Sequence, residues 1–212
     1  MYGVRPPRLL RSWLPQAWWS MPSEARTVHL TFDDGPIPEV TPWVLDQLAQ
    51  HGAQATFFCV GRNAAAHPDI LQRIRSAGHA VGNHTWDHVN GWRTPHVSYL
   101  RSVMRCQQIT GSALFRPPYG RISRRQYAAL RGRFRVVMWD VLSADFDTRL
   151  GPAQCVRNVL DHVRPGSIIV FHDSLKAWPR LRKALPEVLA GLRAAGYAMH
   201  ALPDHPITRG SR

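Results

Sequence analysis

Two rhythms of apolar and polar residues alternate along the 212-residue chain. Short apolar runs rich in β-branched and aromatic residues predict strands at 27–32, 55–60, 80–84, 114–117, 135–140, 167–172 and 198–202. Between them, helical spacing predicts helices near 40–51, 65–77, 94–109, 123–132, 152–163 and 180–195. Val44, Leu45, Leu48 and Ala49 recur on one helical face, as do Ile70, Leu71, Ile74 and Ala77. Gly52, Gly78 and Gly196 stand just past helices, where a left-handed cap favours glycine. Pro42, Pro68 and Pro152 stand near helix starts, where a missing N–H costs nothing.

Strands that alternate with helices predict parallel strands joined by crossovers. Seven of them predict an α/β fold closing into a single-domain barrel, with an open doubly wound sheet as the alternative. No glycine-rich phosphate loop follows the first strand, which argues against a dinucleotide fold. The expected organisation is a basic, aromatic segment over 1–26, a catalytic domain over 27–202 and a flexible polar tail over 203–212.

Composition changes this picture little, apart from charge. The chain is 44% hydrophobic and 19% charged, as in an ordinary globular protein. Its formal net charge is +13 and its pI near 11.1, carried almost wholly by arginine, since Lys176 and Lys183 are the only lysines. Such a field attracts an anionic polymer or membrane surface, although an Arg- and Ala-rich chain also arises from a GC-rich genome. No run of basic residues or nucleic-acid motif accompanies the charge, so no nucleic-acid partner is expected. Cys59, Cys106 and Cys155 form no C-x-x-C pair, as expected of free thiols in a reducing compartment. Residues 8–15 lack the apolar run and cleavage site of a signal peptide, and no stretch reaches membrane-span length. The expectation is a monomer in the cytoplasm or at the inner membrane face. The segment through Trp18 and Trp19 either packs on the domain or touches the membrane.

The polar outliers fall where the expected strands end. Asp33-Asp34-Gly35-Pro36 follows the first, His84 ends the third with His88 four residues on, and Arg116-Pro117-Pro118-Tyr119-Gly120 ends the fourth. Asp140 ends the fifth, with Asp145 beyond it, and His172-Asp173 ends the sixth. In a parallel barrel these ends share one rim, where catalytic groups gather. If His84–His88 is one helical turn, both imidazoles project from one face, and two imidazoles with a carboxylate suit zinc while leaving positions for water and substrate. Of the adjacent Asp33 and Asp34, one is placed to bind the metal and the other to take a proton from water. His172 is the candidate acid for the leaving group, with Asp145 placed to keep it protonated and Arg116 placed to pair with Asp33.

The set Thr31–Pro36, His84-Thr85-x-x-His88, Arg116–Gly120, Asp145-Phe146 and Val170–Asp173 resembles the polysaccharide deacetylases, the NodB-homology domains of carbohydrate esterase family 4. The resemblance spans about residues 27–202. It implies a distorted (β/α)7 barrel of TIM-like type and hydrolysis of an N-acetyl amide on an N-acetylhexosamine-containing glycan or glycoconjugate. It further implies Asp33 as base, Asp34, His84 and His88 as ligands of zinc (cobalt or manganese in its place), and Arg116 as the residue orienting the base. By the same resemblance the Tyr119 N–H serves the oxyanion, Asp145 tunes His172, and Val170, Phe146 and Pro117 line the substrate pocket. The fourth motif departs from the family, with Leu142 where an acid is usual and Phe146 where tryptophan is usual; Val170 also replaces leucine. These changes touch the pocket, and they keep open an amidohydrolase acting on a non-sugar amide or cyclic imide. A silent carbohydrate- or membrane-binding module is the third reading. A glycoside hydrolase is the weakest, since it gives the histidine pair no role.

Overall fold

The computed structural model describes residues 3–23 and 25–204; of the tail expected over 203–212, residues 205–212 lie outside the described residues. Among the described residues eight strands form one sheet: β1 (Thr27–Asp33), β2 (Ala55–Cys59), β3 (Ala80–Asn83), β4 (Leu114–Phe115), β5 (Arg135–Val136), β6 (Val141–Leu142), β7 (Ile168–His172) and β8 (Ala198–Met199). Seven of them run parallel in the order β5-β4-β3-β2-β1-β7-β6, a curled half-barrel, and short β8 pairs with the start of β1. The expected fifth strand is in fact two. β5 stops at Val136 and the chain resumes as β6 only at Val141, after changing neighbours from β4 to β7.

The helices are α1 (Arg8–Trp13), α2 (Thr41–Gln50), α3 (Gly61–Ala66), α4 (Pro68–Ser76), α5 (His96–Thr110), α6 (Arg124–Leu130), α7 (Pro152–Leu160) and α8 (Trp178–Ala194). A single helix expected over 65–77 is divided at His67, because Pro68 starts a new helix whose first N–H is missing anyway. Ile70, Leu71 and Ile74 of α4 are buried, so the apolar stripe read from the sequence does face the core.

Strands buried on both faces divide the core. Leu30, Phe32, Phe57, Ile169 and Phe171 pack outward against Val44, Leu48, Leu185 and Leu189 of the helical layer. Phe58, Leu114, Val137, Ile168 and Leu202 pack together in a second group. Every CH2 removed from water here contributes about 0.8 kcal/mol. β5 and β6 do not pair, and the N-terminal segment covers both. Trp18 bridges to Val137, Ser20 to Ser167, and the Leu142 N–H donates to the Val4 carbonyl at 2.9 Å.

Asp140 lies between β5 and β6, away from the rim. Its carboxylate is held by Arg11 at 2.7 Å, Arg164 at 2.9 Å and the Ser167 hydroxyl at 2.8 Å. Ser167 precedes β7, so this cluster sits at the opposite end of the barrel from His172, and the expectation of Asp140 on the catalytic rim is corrected. The physical reason is the break in the strand: Asp140 opens β6 instead of closing β5.

Candidate active site

Five elements bring their C-terminal ends to one rim. β1 ends in Asp33, which is in register with His172 of β7 and Phe58 of β2. Among the described residues, Asp34, Thr85, His88, Tyr119 and Ala144 are the non-glycine residues with left-handed φ, at 85°, 64°, 54°, 60° and 62°. Each costs about 1 kcal/mol or more, and each is a site residue or adjoins one. Such strain collects where geometry serves function.

His84 and His88 do not lie on a helical turn. The chain from 84 to 90 is an irregular loop, and left-handed Thr85 and His88 turn the two rings toward one point. Their centroids are 5.0 Å apart. The Asn83 carboxamide, buried and easily overlooked in sequence, holds the loop: its Oδ1 accepts from the Thr85 N–H at 2.9 Å and its Nδ2 donates to the Val103 carbonyl at 2.9 Å. His84 Nδ1 lies 2.8 Å from the Arg116 carbonyl. A carbonyl only accepts, so Nδ1 carries the proton and the Nε2 lone pair faces the site. Burial pulls the His84 pKa down to about 4, keeping the ring neutral and ready to ligate.

Asp34, His84 and His88 place one ligand atom each within 4.8 Å of one another. Asp34 Oδ1 is sealed from solvent and makes no well-formed hydrogen bond, although His88 Nε2 is 3.1 Å away and His84 Nε2 3.9 Å. A buried oxygen without a partner, flanked by two imidazole nitrogens, fits a divalent cation. Burial opposes ionisation of Asp34, but His88, His172 and His84 overcome it and hold the carboxyl well below its usual range.

Asp33 points to the other side. Its Oδ1 accepts from Arg116 Nη1 at 2.8 Å, and its Oδ2 lies 4.0 Å from His84 Nε2. Arg116 is fully buried and spans the barrel interior, donating also to the Thr31 hydroxyl at 2.6 Å and the Met138 carbonyl at 2.8 Å, with its guanidinium 4.2 Å from the Phe58 ring centroid. Thr31 and Met138 belong to β1 and the strand break, so one guanidinium fixes the Asp33 carboxylate and links two walls.

Across the rim, Asp145 grips His172 twice, at the backbone N–H (2.8 Å) and at Nδ1 (2.7 Å). Burial lowers the imidazole pKa, but the Asp145 charge and hydrogen bond outweigh it and push it up to about 9. Phe146 packs edge-on against His172 with centroids 5.2 Å apart. Val170 is buried in register with Thr31. Pro117 is buried, and its carbonyl accepts from the Gly120 N–H. Tyr119 is exposed, its ring 4.6 Å from that of His88. Asp33, Asp34, His84, His88, Arg116, Tyr119, Asp145, Phe146 and His172 therefore converge through direct contacts or paired strands.

The residues to which sequence reasoning assigned no role are supports. Asp173 accepts from the Gly35 N–H at 3.0 Å and the Thr41 hydroxyl at 2.6 Å, and its own N–H donates to the Asp33 carbonyl. Asn63 Nδ2 donates to the Asp34 carbonyl at 2.9 Å. Arg180 donates to the Asp145 carbonyl. Only the adjacency of Asp173 to His172 gave any signal for them.

Comparison with known proteins agrees with this geometry. The family model described as polysaccharide deacetylase matches residues 20–132. A peptidoglycan-N-acetylglucosamine deacetylase of Bacillus cereus is 37% identical over 177 residues, covering 77% of this chain; the chain spans 64% of that protein's length. A chitooligosaccharide deacetylase of Azorhizobium caulinodans is 36% identical over 197 residues, covering 84% of this chain and 93% of that one. The crystal structure of the Bc1960 peptidoglycan N-acetylglucosamine deacetylase superposes with a TM-score of 0.85 at 33% identity, covering 93% of this chain and 95% of that one. Peptidoglycan deacetylase PdaC from Bacillus subtilis superposes at 0.75 with 29% identity, covering 86% of this chain and 90% of that one. With the family model spanning the aspartate pair, the histidine pair and Arg116, the chain belongs to the polysaccharide deacetylase family.

Proposed function

We propose that the protein is a metal-dependent deacetylase that hydrolyses the N-acetyl group of an N-acetylhexosamine-containing glycan or glycoconjugate. The observation that carries this reading is the division of labour on one rim: a three-residue ligand cluster, a carboxylate held by a buried arginine, and a histidine held by a buried carboxylate. Relatives named for peptidoglycan and for chitooligosaccharide support a sugar amide as substrate.

Asp34, His84 and His88 would hold the cation, and two imidazoles with one carboxylate favour zinc. When bound, the cation supplies Lewis acidity toward the amide carbonyl and makes water acidic enough to deprotonate near neutral pH. Asp33 takes that proton on Oδ2, because Arg116 occupies Oδ1. The Tyr119 N–H donates to the oxygen on which charge develops. His172 delivers a proton from Nε2 to the departing amine nitrogen; Asp145 holds Nδ1, so only Nε2 is free to act. Hydroxyl adds to the acetyl carbon, the C–N bond breaks, and acetate and a free amine leave. Pro117, Phe146 and Val170 wall the acetyl group and keep bulk water out.

The substitution Asp33→Asn tests this assignment. It keeps the ligand set, so bound metal remains stoichiometric while acetate release falls by about 10²-fold or more. Near wild-type release would remove Asp33 as base. Phe146 has no N–H to offer a sugar hydroxyl, which favours the non-sugar amide as the second reading. Turnover of a small cyclic imide with none of N-acetylated oligosaccharides would establish that reading instead.

A further inference from the structure

The N-terminal segment does more than cover the gap between β5 and β6; it forms one wall of a cavity. Leu14, Ala17 and Trp19 pack into one apolar group with Tyr127, Leu130, Phe134 and Val136. The Trp18 N–H donates to the Val136 carbonyl at 2.9 Å, and the Gln16 N–H donates to the Tyr127 hydroxyl at 3.2 Å. Between the segment, α6 and β5 lies a cavity of about 370 Å³, lined by Gln16, Tyr127, Arg131, Phe134, Arg135 and Val136. Arg135 opens β5 in register with Leu114, which opens β4. The cavity therefore sits where the strands begin, away from the rim of Asp33 and His172 where they end.

Its polar lining is one-sided. Tyr127 is only 6% exposed, and its oxygen already accepts from Gln16, so its O–H has no acceptor among the described residues. Burial raises the phenol pKa while the Arg131 and Arg135 charges pull it down, so the hydroxyl stays protonated with both guanidinium groups in electrostatic reach. Arg131 Nη1 donates to Gln16 Oε1 at 3.0 Å, which leaves Gln16 Nε2 as a donor. The Arg135 guanidinium lies 5.0 Å from the Trp18 ring centroid; stacking uses its face and leaves its N–H edge to the cavity. Neither arginine has a carboxylate partner among the described residues. Asp140 is taken by Arg11 and Arg164, and Asp204 by the Ala113 N–H at 2.9 Å. Residues 1–23 hold three arginines and residues 111–139 seven, with no Asp or Glu in either stretch. A buried hydroxyl with nothing to donate to, beside two unpaired guanidinium groups, calls for an anionic acceptor that the chain does not supply.

We propose that this cavity binds a phosphate monoester, either free or as the headgroup of a lipid, at a site separate from the catalytic rim. A monoester carries up to two charges and three terminal oxygens, which match two guanidinium groups and the Tyr127 hydroxyl. The buried faces of Phe134 and Val136 take the apolar part of the ligand nearest the phosphate. Bound there, the anion ties the N-terminal segment to α6 and β5.

The test titrates the full chain with sodium phosphate, at ionic strength held constant with chloride, and follows the backbone amides of Gln16, Tyr127 and Arg135 by NMR. Their shifts should saturate with a dissociation constant of about 1 mM or tighter. Arg131→Gln and Tyr127→Phe should each weaken binding about tenfold and leave acetate release unchanged. Arg131 is exposed, so its variant keeps the fold even if Tyr127→Phe loosens it. Tyr127→Phe changes no charge, so its loss separates the cavity from the diffuse field of a basic protein. Cosedimentation then compares vesicles of phosphatidic acid with vesicles of phosphatidylglycerol at equal surface charge. A preference for phosphatidic acid that Tyr127→Phe abolishes identifies a headgroup as the ligand; phosphate binding without that preference identifies a soluble monoester. Amide shifts no larger than chloride produces, or phosphate affinity unaltered in both variants, overturn the site. Binding is read without turnover, so failure here leaves the deacetylase reading untouched.

Discussion

Replacing Asp145 with asparagine isolates what keeps His172 protonated. The Asp145 carboxylate accepts from both the His172 backbone N–H and Nδ1–H, at 2.8 Å and 2.7 Å. Asparagine accepts on one oxygen only and turns its NH2 toward the other donor, so one bond becomes a donor–donor contact. The charge is lost too, while burial stays. Wild-type His172 sits at about 9 against the ordinary imidazole value of 6.5, which corresponds to about 3 kcal/mol in favour of the imidazolium. Because the folded pKa is raised, that stabilisation is complete below pH 6.5 and is lost as pH rises through about 9. In Asp145→Asn only the Asp34 and Asp33 charges still oppose desolvation, and the imidazole pKa falls well below its wild-type value. The variant should melt about 6–12 °C lower than wild type at pH 6, with the gap closing towards pH 10. It should also lose about 10²-fold in turnover at neutral pH. NMR titration of His172 in chelated protein, assigned through His172→Gln, reads the pKa directly. Titration of wild-type His172 near 6.5, or an unchanged value in Asp145→Asn, would refute the reasoning.

Three further outcomes follow from contacts in the site. His88→Ala should lose stoichiometric metal by elemental analysis while keeping its circular dichroism, because that side chain is only partly buried; full occupancy would strike His88 from the ligands. Arg116→Met strands the Asp33 carboxylate and frees the acceptors Thr31 and Met138, so denaturant titration should show a loss of about 3–5 kcal/mol; an unchanged midpoint would contradict the bridging role. Gly35→Ala places a Cβ 2.0 Å from Asp173 Oδ2, which should displace the aspartate loop and lower both stability, by about 1–3 kcal/mol, and acetate release; wild-type values for both would show that the loop gives way freely.

The ordered alternation of strands and helices made the barrel legible, because long buried runs such as β1 and β7 have no competing pattern. The site was legible for a related reason: Asp33, His84 and His172 are polar residues closing apolar runs, a placement that a core does not tolerate without partners. What escaped was short or non-local. β5 and β6 have two residues each, too few to show a period, so Asp140 was assigned to the wrong end of the barrel. Nor does the 84–88 spacing reveal that two left-handed residues, and not a helical turn, bring the imidazoles together. Asn63 and Asn83 act through backbone groups, and Thr41 through the Asp173 carboxylate, that only the fold brings near.

The claim at the centre is that Asp34, His84 and His88 hold a cation for sugar N-deacetylation. Acetate release from N-acetylglucosamine oligomers, measured side by side on chelated and zinc-reloaded protein, tests it most directly. The account predicts negligible release after chelation and recovery in proportion to bound zinc, up to one equivalent per chain. Undiminished release from metal-free protein, or no release with one equivalent of zinc bound, would contradict it.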